Sequence, residues 1–389
     1  MLDTYGSGVA VLGLLAIILG GLAVVLGVPI FRRRRPARPV PLLKAAPDPV
    51  SGSEAANIES LEHQARRRLV EADNALRTTE ENLAIAAKAT GEEATESDRE
   101  ATRRARTELT EAFRLRQQLD EAYPPDEPVQ RAKLAEIVDR CARTEQLLAP
   151  GTGAAPDLAG LAVWRDQIRA QLPRAADTLN HLQSRYAASA FATIGDATEL
   201  ATARLDGVRA LHRASVLLAA ITRLGTDLQT ATICVRILLP WAQARIEAGK
   251  SVQQAAAAVA RAEQVAIDVR TGLVFGCPDP IGSLARLVAA SATLDAALGG
   301  SPDGPRILLD YALFSARTAV DSTDRFIDRR RDRIGCGART RQCEARRHLD
   351  EAAGATDPVA ALTAAVRATS RAQQALDAAR ADLDAVAVG

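Results

Sequence analysis

The chain has 389 residues, a net charge of +1, 47% hydrophobic residues and only 3% aromatic ones. Its length holds two or three domains. The near-neutral total excludes bulk attraction to polyanions, and the shortage of aromatics excludes the aromatic-filled core of a large globular enzyme.

The first element is apolar. Val9 to Ile30 reads VAVLGLLAIILGGLAVVLGVPI, without a charged residue. A helix needs roughly 20 apolar residues to cross a bilayer core. The run is longer than a signal-peptide core and no Lys or Arg precedes it, so it reads as an uncleaved anchor. Arg32, Arg33, Arg34, Arg35 and Arg38 follow at once. Basic residues beside a span stay on the cytoplasmic side, so the N-terminus is expected outside and the long remainder in the cytoplasm. The same arginines would meet anionic headgroups. Within the span, Gly13, Ala16, Gly20, Ala23 and Gly27 recur at spacings of three and four. Such a small-residue stripe suits close pairing of two membrane helices.

Pro36, Pro39, Pro41, Pro47 and Pro49 make residues 35–52 an extended spacer. Helix is expected from Ser53, where Ile58, Leu61, Ala65, Leu69, Ala72, Leu76 and Leu83 form one apolar stripe, and Thr90-Gly91 stops it. A second helix runs from Ser97 to Tyr123 on Ala105, Leu109, Ala112, Phe113 and Leu119. A third covers Glu127–Leu148 on Leu134, Ile137, Val138 and Cys141. Short turns make the three antiparallel neighbours. Beyond Gly151, Gly153 and Pro156, helices are expected over Leu158–Tyr186 (kinked or split at Pro173), Ala197–Leu224, Asp227–Ala248 (bent at Pro240) and Ser251–Thr271. Others follow over Ile281–Leu298, Arg306–Arg333, Ala338–Ala353 and Asp357–Ala387. Asp357-Pro358 pairs an N-cap with proline at the first helical position. The segments AAAAVARAEQVAIDVRTG and AALTAAVRATSRAQQALDAARADL share an alanine spacing compatible with helical repeats. No stretch alternates as a strand. The expected fold is all-α: an N-terminal transmembrane helix (1–31), a basic proline-rich linker (32–52), a three-helix antiparallel segment (53–149) and an Ala-rich, repeat-like helical region (150–389). Together these form an elongated, coiled-coil-like bundle.

Few residues suggest chemistry. Ala248-Gly249-Lys250-Ser251 has the end of a phosphate-binding loop, but Ala244 stands where that motif needs glycine and no strand precedes it. It reads as an interhelical turn. Cys336, Cys343 and His348 lack zinc-ligand spacing and a fourth ligand, so small buried cysteines are the simpler reading. Five cysteines at irregular spacing argue against a disulfide framework. His63, His181 and His212 are isolated, and the carboxylates read as solvated helix faces with exposed ion pairs. A second basic concentration spans Arg329, Arg330, Arg331, Arg333, Arg339, Arg341, Arg346 and Arg347. Interspersed carboxylates and the lack of stacking aromatics argue against nucleic acid, leaving a protein or membrane contact. Trp164 and Trp241 read as packing anchors between helices.

Two segments carry a family resemblance. One holds LVEADNALRTTEENLAIA and AFRLRQQLDEAYPPDE. The other holds FIDRRRDRIGCGARTRQCEARRHLDEA and DPVAALTAAVRATSRAQQALDAARADL. Both resemble the helical C-terminal region of actinobacterial TPM-domain proteins, most specifically at Ala112–Glu127 and Arg329–His348. Those proteins place a TPM domain outside the membrane, then a span, arginines and this helical region. Only Met1 to Gly8 precede the span here, so nothing corresponds to the TPM domain and no catalytic residue carries over.

The expectation is a non-catalytic, single-pass cell-membrane protein with a cytoplasmic helical scaffold. Its partners would be the lipid bilayer and either its own copies or another protein. No cofactor, metal, small-molecule substrate or nucleic acid is expected. The alternative is an envelope-maintenance protein acting through contact with anionic lipid.

Overall fold

The computed structural model describes residues 49–121, 126–148, 158–203, 205, 207–274, 278–301 and 303–388. The expected span lies outside these residues, with Gly13, Ala16, Gly20, Ala23, Gly27, Arg32, Arg33, Arg34, Arg35 and Arg38. Among the described residues the fold is all-α, without strands, and no helix is long and apolar enough to cross a membrane. Residues 53–389 form one compact unit.

Helix α1 (Pro49–Thr90) begins four residues earlier than its sequence suggests. Proline at a first helical position loses no bond, so Pro49 opens the helix instead of prolonging the spacer. Ile58, Ala65, Leu69, Ala72 and Leu76 bury one face. Gly91, at φ 89°, ends the helix, its N–H donating to Ala87 O at 3.0 Å. Helices α2 (Glu96–Glu121) and α3 (Glu127–Leu147) add Ala105, Leu109, Phe113, Leu134, Ile137 and Cys141 to the same core.

Helix α4 (Leu158–Arg185) runs unbroken through Pro173, without the split its sequence permits. Pro173 is exposed, while Ile168, Ala175 and Leu179 keep one face packed. Short helices α5 (Ala188–Phe191) and α6 (Ala197–Ala203) lead into α7 (Val208–Gly249), a single helix of 42 residues. The break expected near Leu224–Asp227 is absent. Glycine inside a helix costs about 1 kcal/mol, but Leu217, Leu218, Ile221, Leu228 and Ala231 are buried on either side of Gly225 and carry the helix through.

The Ala248–Ser251 stretch is an interhelical turn, leading from α7 into α8 (Ala256–Val274). Gly249 permits that turn's close approach, because a Cβ there would lie 2.7 Å from Val259 Cγ2. In α9 (Pro280–Ala297) the N-cap carboxylate of Asp279 accepts from Gly282 N at 2.9 Å.

Helix α10 (Gly304–Arg329) stops short of the expected Arg333. The chain turns through a single 3₁₀ turn at Arg331–Arg333, whose end is held by Arg339: its guanidinium donates to the carbonyls of Arg331 and Ile334. Helices α11 (Cys336–Gly354) and α12 (Pro358–Val388) complete the fold. As expected, Asp357 caps α12, accepting from Ala360 N at 3.0 Å.

The seams of this second half are alanine. In α12, Ala361, Ala365, Ala368, Ala372, Ala375 and Ala379 alternate steps of four and three, and none exceeds 1% exposure. Ala338, Ala345 and Ala352 recur every seven residues on α11 and are also buried. Such heptad spacing lays a continuous seam along each helix. The small side chains bring backbones close enough for Thr323 Oγ1 of α10 to donate to Ala372 O of α12 at 3.3 Å.

Candidate functional site

The chemistry-bearing residues gather where α1, α10 and α11 meet. On α1, Asp73, Arg77 and Glu80 follow one stripe beside the apolar one. Arg339 of α11 is only 2% exposed. It donates to Asp73 and, at 2.9 Å, to Asn74 Oδ1. Arg77 lies 3.4 Å from Asp328 of α10 and 3.6 Å from Glu80. Burial opposes the Arg77 charge, but the carboxylates of Asp328, Asp73, Asp324 and Glu80 outweigh it and raise its proton affinity. Asp324 accepts from Arg346 Nε at 2.9 Å and Gln342 Nε2 at 2.6 Å. Gln342 Nε2 also donates to Val320 O at 3.0 Å.

Most carboxylates lie on exposed or half-exposed faces as expected, but a few do not. Asp73 and Glu344 are both buried. The same geometry changes the reading of the second basic concentration. Arg329 and Arg330 reach Asp196 at 3.1 and 2.5 Å, and Arg331 reaches Glu81 at 3.4 Å. Arg347 donates to Gln117 Oε1 of α2 at 3.4 Å, besides Glu351 on its own helix at 2.6 Å. Most of this band therefore ties helices together instead of facing solvent, while Arg333 and Arg341 remain exposed. The sequence signal for this network was the stripe of Asp73, Arg77 and Glu80 at helical spacing.

A cleft of about 440 Å³ opens between α2, α11 and α12. His348 Nδ1 lies 2.8 Å from Glu351 Oε2, and its Nε2 lies 3.6 Å from Glu344 Oε1. Arg371 Nε lies 2.7 Å from Glu344 Oε1. Burial opposes ionisation of Glu351, but hydrogen bonding from His348 and the charge of Arg347 hold its carboxyl below the usual range. Gln117, Glu121, Arg347, Arg367, Ser370 and Gln374 complete the lining.

Cys336 and Cys343, two turns apart on α11, pack against the core of α1–α3, whereas His348 opens onto the cleft. Among the described residues no group of three or more His, Cys, Asp or Glu gathers in a way that could hold a metal ion. Cys277 lies outside the described residues. Burial pushes the Cys141 and Cys343 thiols up to about 12. At pH 8 roughly one in ten thousand of each would be thiolate. Iodoacetamide on the native protein at pH 8 is expected to leave both unlabelled, and to label both after urea denaturation. Mass spectrometry of the digests reads the result. Thiols with raised folded pKa values favour the folded state fully below their unfolded pKa near 8.5. That contribution is lost as pH climbs towards 12.

Trp164 is partly buried against the core shared by α4 and α7, with Lys88 Nζ 4.8 Å from its ring centre. Trp241 packs beside the α7–α9 core. The opposite side of α7 is unusual. Ile233 and Ile237 are 58% and 59% exposed. Pro240 and Ala244 continue their line at helical spacing, also exposed.

The chain is 26% identical, over 353 aligned residues, to UPF0603 protein Rv2345 and to UPF0603 protein MT2410, both of Mycobacterium tuberculosis. The match takes in 77% of this chain and 54% of each relative, so the chain spans about half the length of the curated relatives it matches. No family model and no solved structure matches the chain.

Proposed function

We propose that the chain is a non-catalytic, single-pass membrane protein whose helical body stands in the cytoplasm as an interaction scaffold. One observation carries the reading: the solvent face of α7 presents Ile233, Ile237 and Pro240 at i, i+4 and i+7. This is the anchor spacing by which an apolar helix face docks on another protein surface. Single exposed hydrophobics are ordinary, but a line of them on one helix face marks a contact. The charge-free run Val9–Ile30 and the arginines after it supply the anchor and its orientation. The resemblance to the helical region of TPM-domain proteins supports the same layout. Confinement to a bilayer raises the effective concentration of copies and partners, so a modest stripe suffices for association.

The test is crosslinking of the full-length protein in its membrane, comparing wild type with an Ile233→Glu/Ile237→Glu variant. The wild type is expected to give defined crosslinks, to itself or to one protein partner. The variant should lose them with little change in thermal stability, since both side chains are exposed. Crosslinks of equal yield in the variant would overturn the reading.

A further inference from the structure

The seam between α7 and the end of α10 holds more buried guanidinium N–H donors than its carboxylates accept. Arg213 and Arg223 reach into it from α7. Arg325, Arg329, Arg330 and Arg331 come from α10 and the turn after it. Against these six guanidinium groups stand four carboxylates: Glu81, Asp196, Asp227 and Asp321. Glu81 is shared by Arg213 at 2.9 Å and Arg331 at 3.4 Å. Asp196 is shared by Arg329 and Arg330. Arg223 takes Asp321 at 3.3 Å and lies 4.0 Å from Asp227. Asp324, next along α10, is occupied by Arg346.

The imbalance is visible atom by atom. Among the described residues, Arg325 Nε, Arg329 Nε and Nη2, Arg330 Nη1 and Arg331 Nη1 are buried and have no hydrogen-bond partner. The Arg329 side chain is only 11% exposed. Buried donors of this kind are rare, and each one left unpaired is costly. The Arg330 guanidinium is braced over the Phe326 ring at 4.4 Å, which fixes its plane. Asp196 is 36% exposed and Arg330 23%, so the seam opens to solvent on their side.

We propose that this seam binds a phosphate-bearing anion, through the unpaired N–H groups of Arg325, Arg329, Arg330 and Arg331. The unpaired, buried N–H groups suit the oxygens of a phosphate group, either a monoester or the phosphodiester of a lipid headgroup. Guanidinium forks from adjacent helical turns suit its tetrahedral oxygens better than a single planar carboxylate. The electrostatics agree. Burial, with Arg330 and Arg325 nearby, brings Arg329 down to about 10 despite Asp196. A folded-state depression of that kind means the charged Arg329 destabilises the unliganded fold at neutral pH. An anion would reverse that penalty. Free phosphate compounds and the phosphate of an acidic lipid headgroup share this chemistry. The site does not depend on the apolar stripe of α7.

The test uses the full-length protein in phosphatidylcholine nanodiscs. Thermal unfolding is followed with inorganic phosphate or pyrophosphate, against chloride at matched ionic strength. A second arm replaces part of the lipid with phosphatidylglycerol. A rise of about 4 °C near saturation is expected in at least one arm. A rise with soluble phosphate assigns a free ligand. A rise only with phosphatidylglycerol assigns the headgroup. Arg329→Gln and Arg330→Gln should abolish it, and Arg333→Gln, exposed nearby, should keep it. In chloride, Arg329→Gln should unfold no earlier than wild type. Identical melting in phosphate, chloride and both lipids would overturn the proposal. So would a rise that survives Arg329→Gln, or an Arg329→Gln variant that unfolds earlier in chloride.

Discussion

Arg339→Ala is expected to lower the stability of the helical body by about 3–5 kcal/mol, the range for breaking one side of a buried ion pair. Arg339 is 2% exposed and ties three segments. It donates to Asp73 and Asn74 on α1, and to the carbonyls of Arg331 and Ile334 that shape the turn into α11. Removing it leaves the Asp73 carboxylate buried with only Arg77, 3.9 Å away, as counter-charge. It also frees two carbonyls. Urea unfolding of the full chain measures the loss. A control separates the pair's net worth from the cost of orphaning a charge. Arg339→Met with Asp73→Leu should recover much of the stability, because an apolar pair of similar volume carries no uncompensated charge. A single variant within about 1 kcal/mol of wild type would show that water reaches Asp73 and that the pair is not the joint described above.

Phe113→Ala is expected to cost a similar amount, about 3–5 kcal/mol, for a different reason. Phe113 is 1% exposed and, among the described residues, the one buried aromatic in the core of α1, α2 and α3, which is otherwise filled by Ala, Leu, Ile and Cys. Rigid helices on three sides cannot collapse into the space it leaves, so the cavity adds to the lost transfer energy. Phe113→Leu should cost clearly less. The same variant should expose Cys141 and Cys343 to iodoacetamide in the native state. A cavity that admits opening motions would show this as faster labelling, which ties the packing of this core to the thiol protection.

The two variants also separate what was readable in the chain from what was not. The Phe113 core was legible. Ala105, Leu109, Ala112 and Phe113 repeat at three and four, and their partners Leu134, Ile137 and Cys141 do the same one helix later. The Arg339 joint was not legible. Asp73 and Arg339 stand 266 residues apart, and each is surrounded in sequence by other charges with which it could have paired locally. Local spacing puts Arg77 next to Asp73, and they do lie 3.9 Å apart. The tertiary fold brings Arg339 far closer. The same holds for Asp196, an unremarkable loop residue until the end of α10 places two arginines against it. The exposed line of Ile233, Ile237 and Pro240 was hidden differently. Between Ile233 and Pro240, α7 carries apolar residues on both sides, so periodicity there could not tell the buried side from the exposed one.

Local sequence dictates helix, and nearly everywhere which face of each helix is apolar. Both depend on contacts within a few residues: the 3.6-residue period, aspartate caps at Asp279 and Asp357, and glycine or proline at turns. It also determined the alanine seam of α12, since heptad spacing is local. The tertiary structure decided the rest. It carried α7 through Gly225, because packing on both sides outweighs about 1 kcal/mol of backbone cost. It ended α10 before Arg333, because Arg339 holds the carbonyls of the turn. It chose, for each of the many arginines, a carboxylate or none. That choice depends on distances between residues far apart in the chain and on how much water remains around them, and neither quantity is written in any local stretch of sequence.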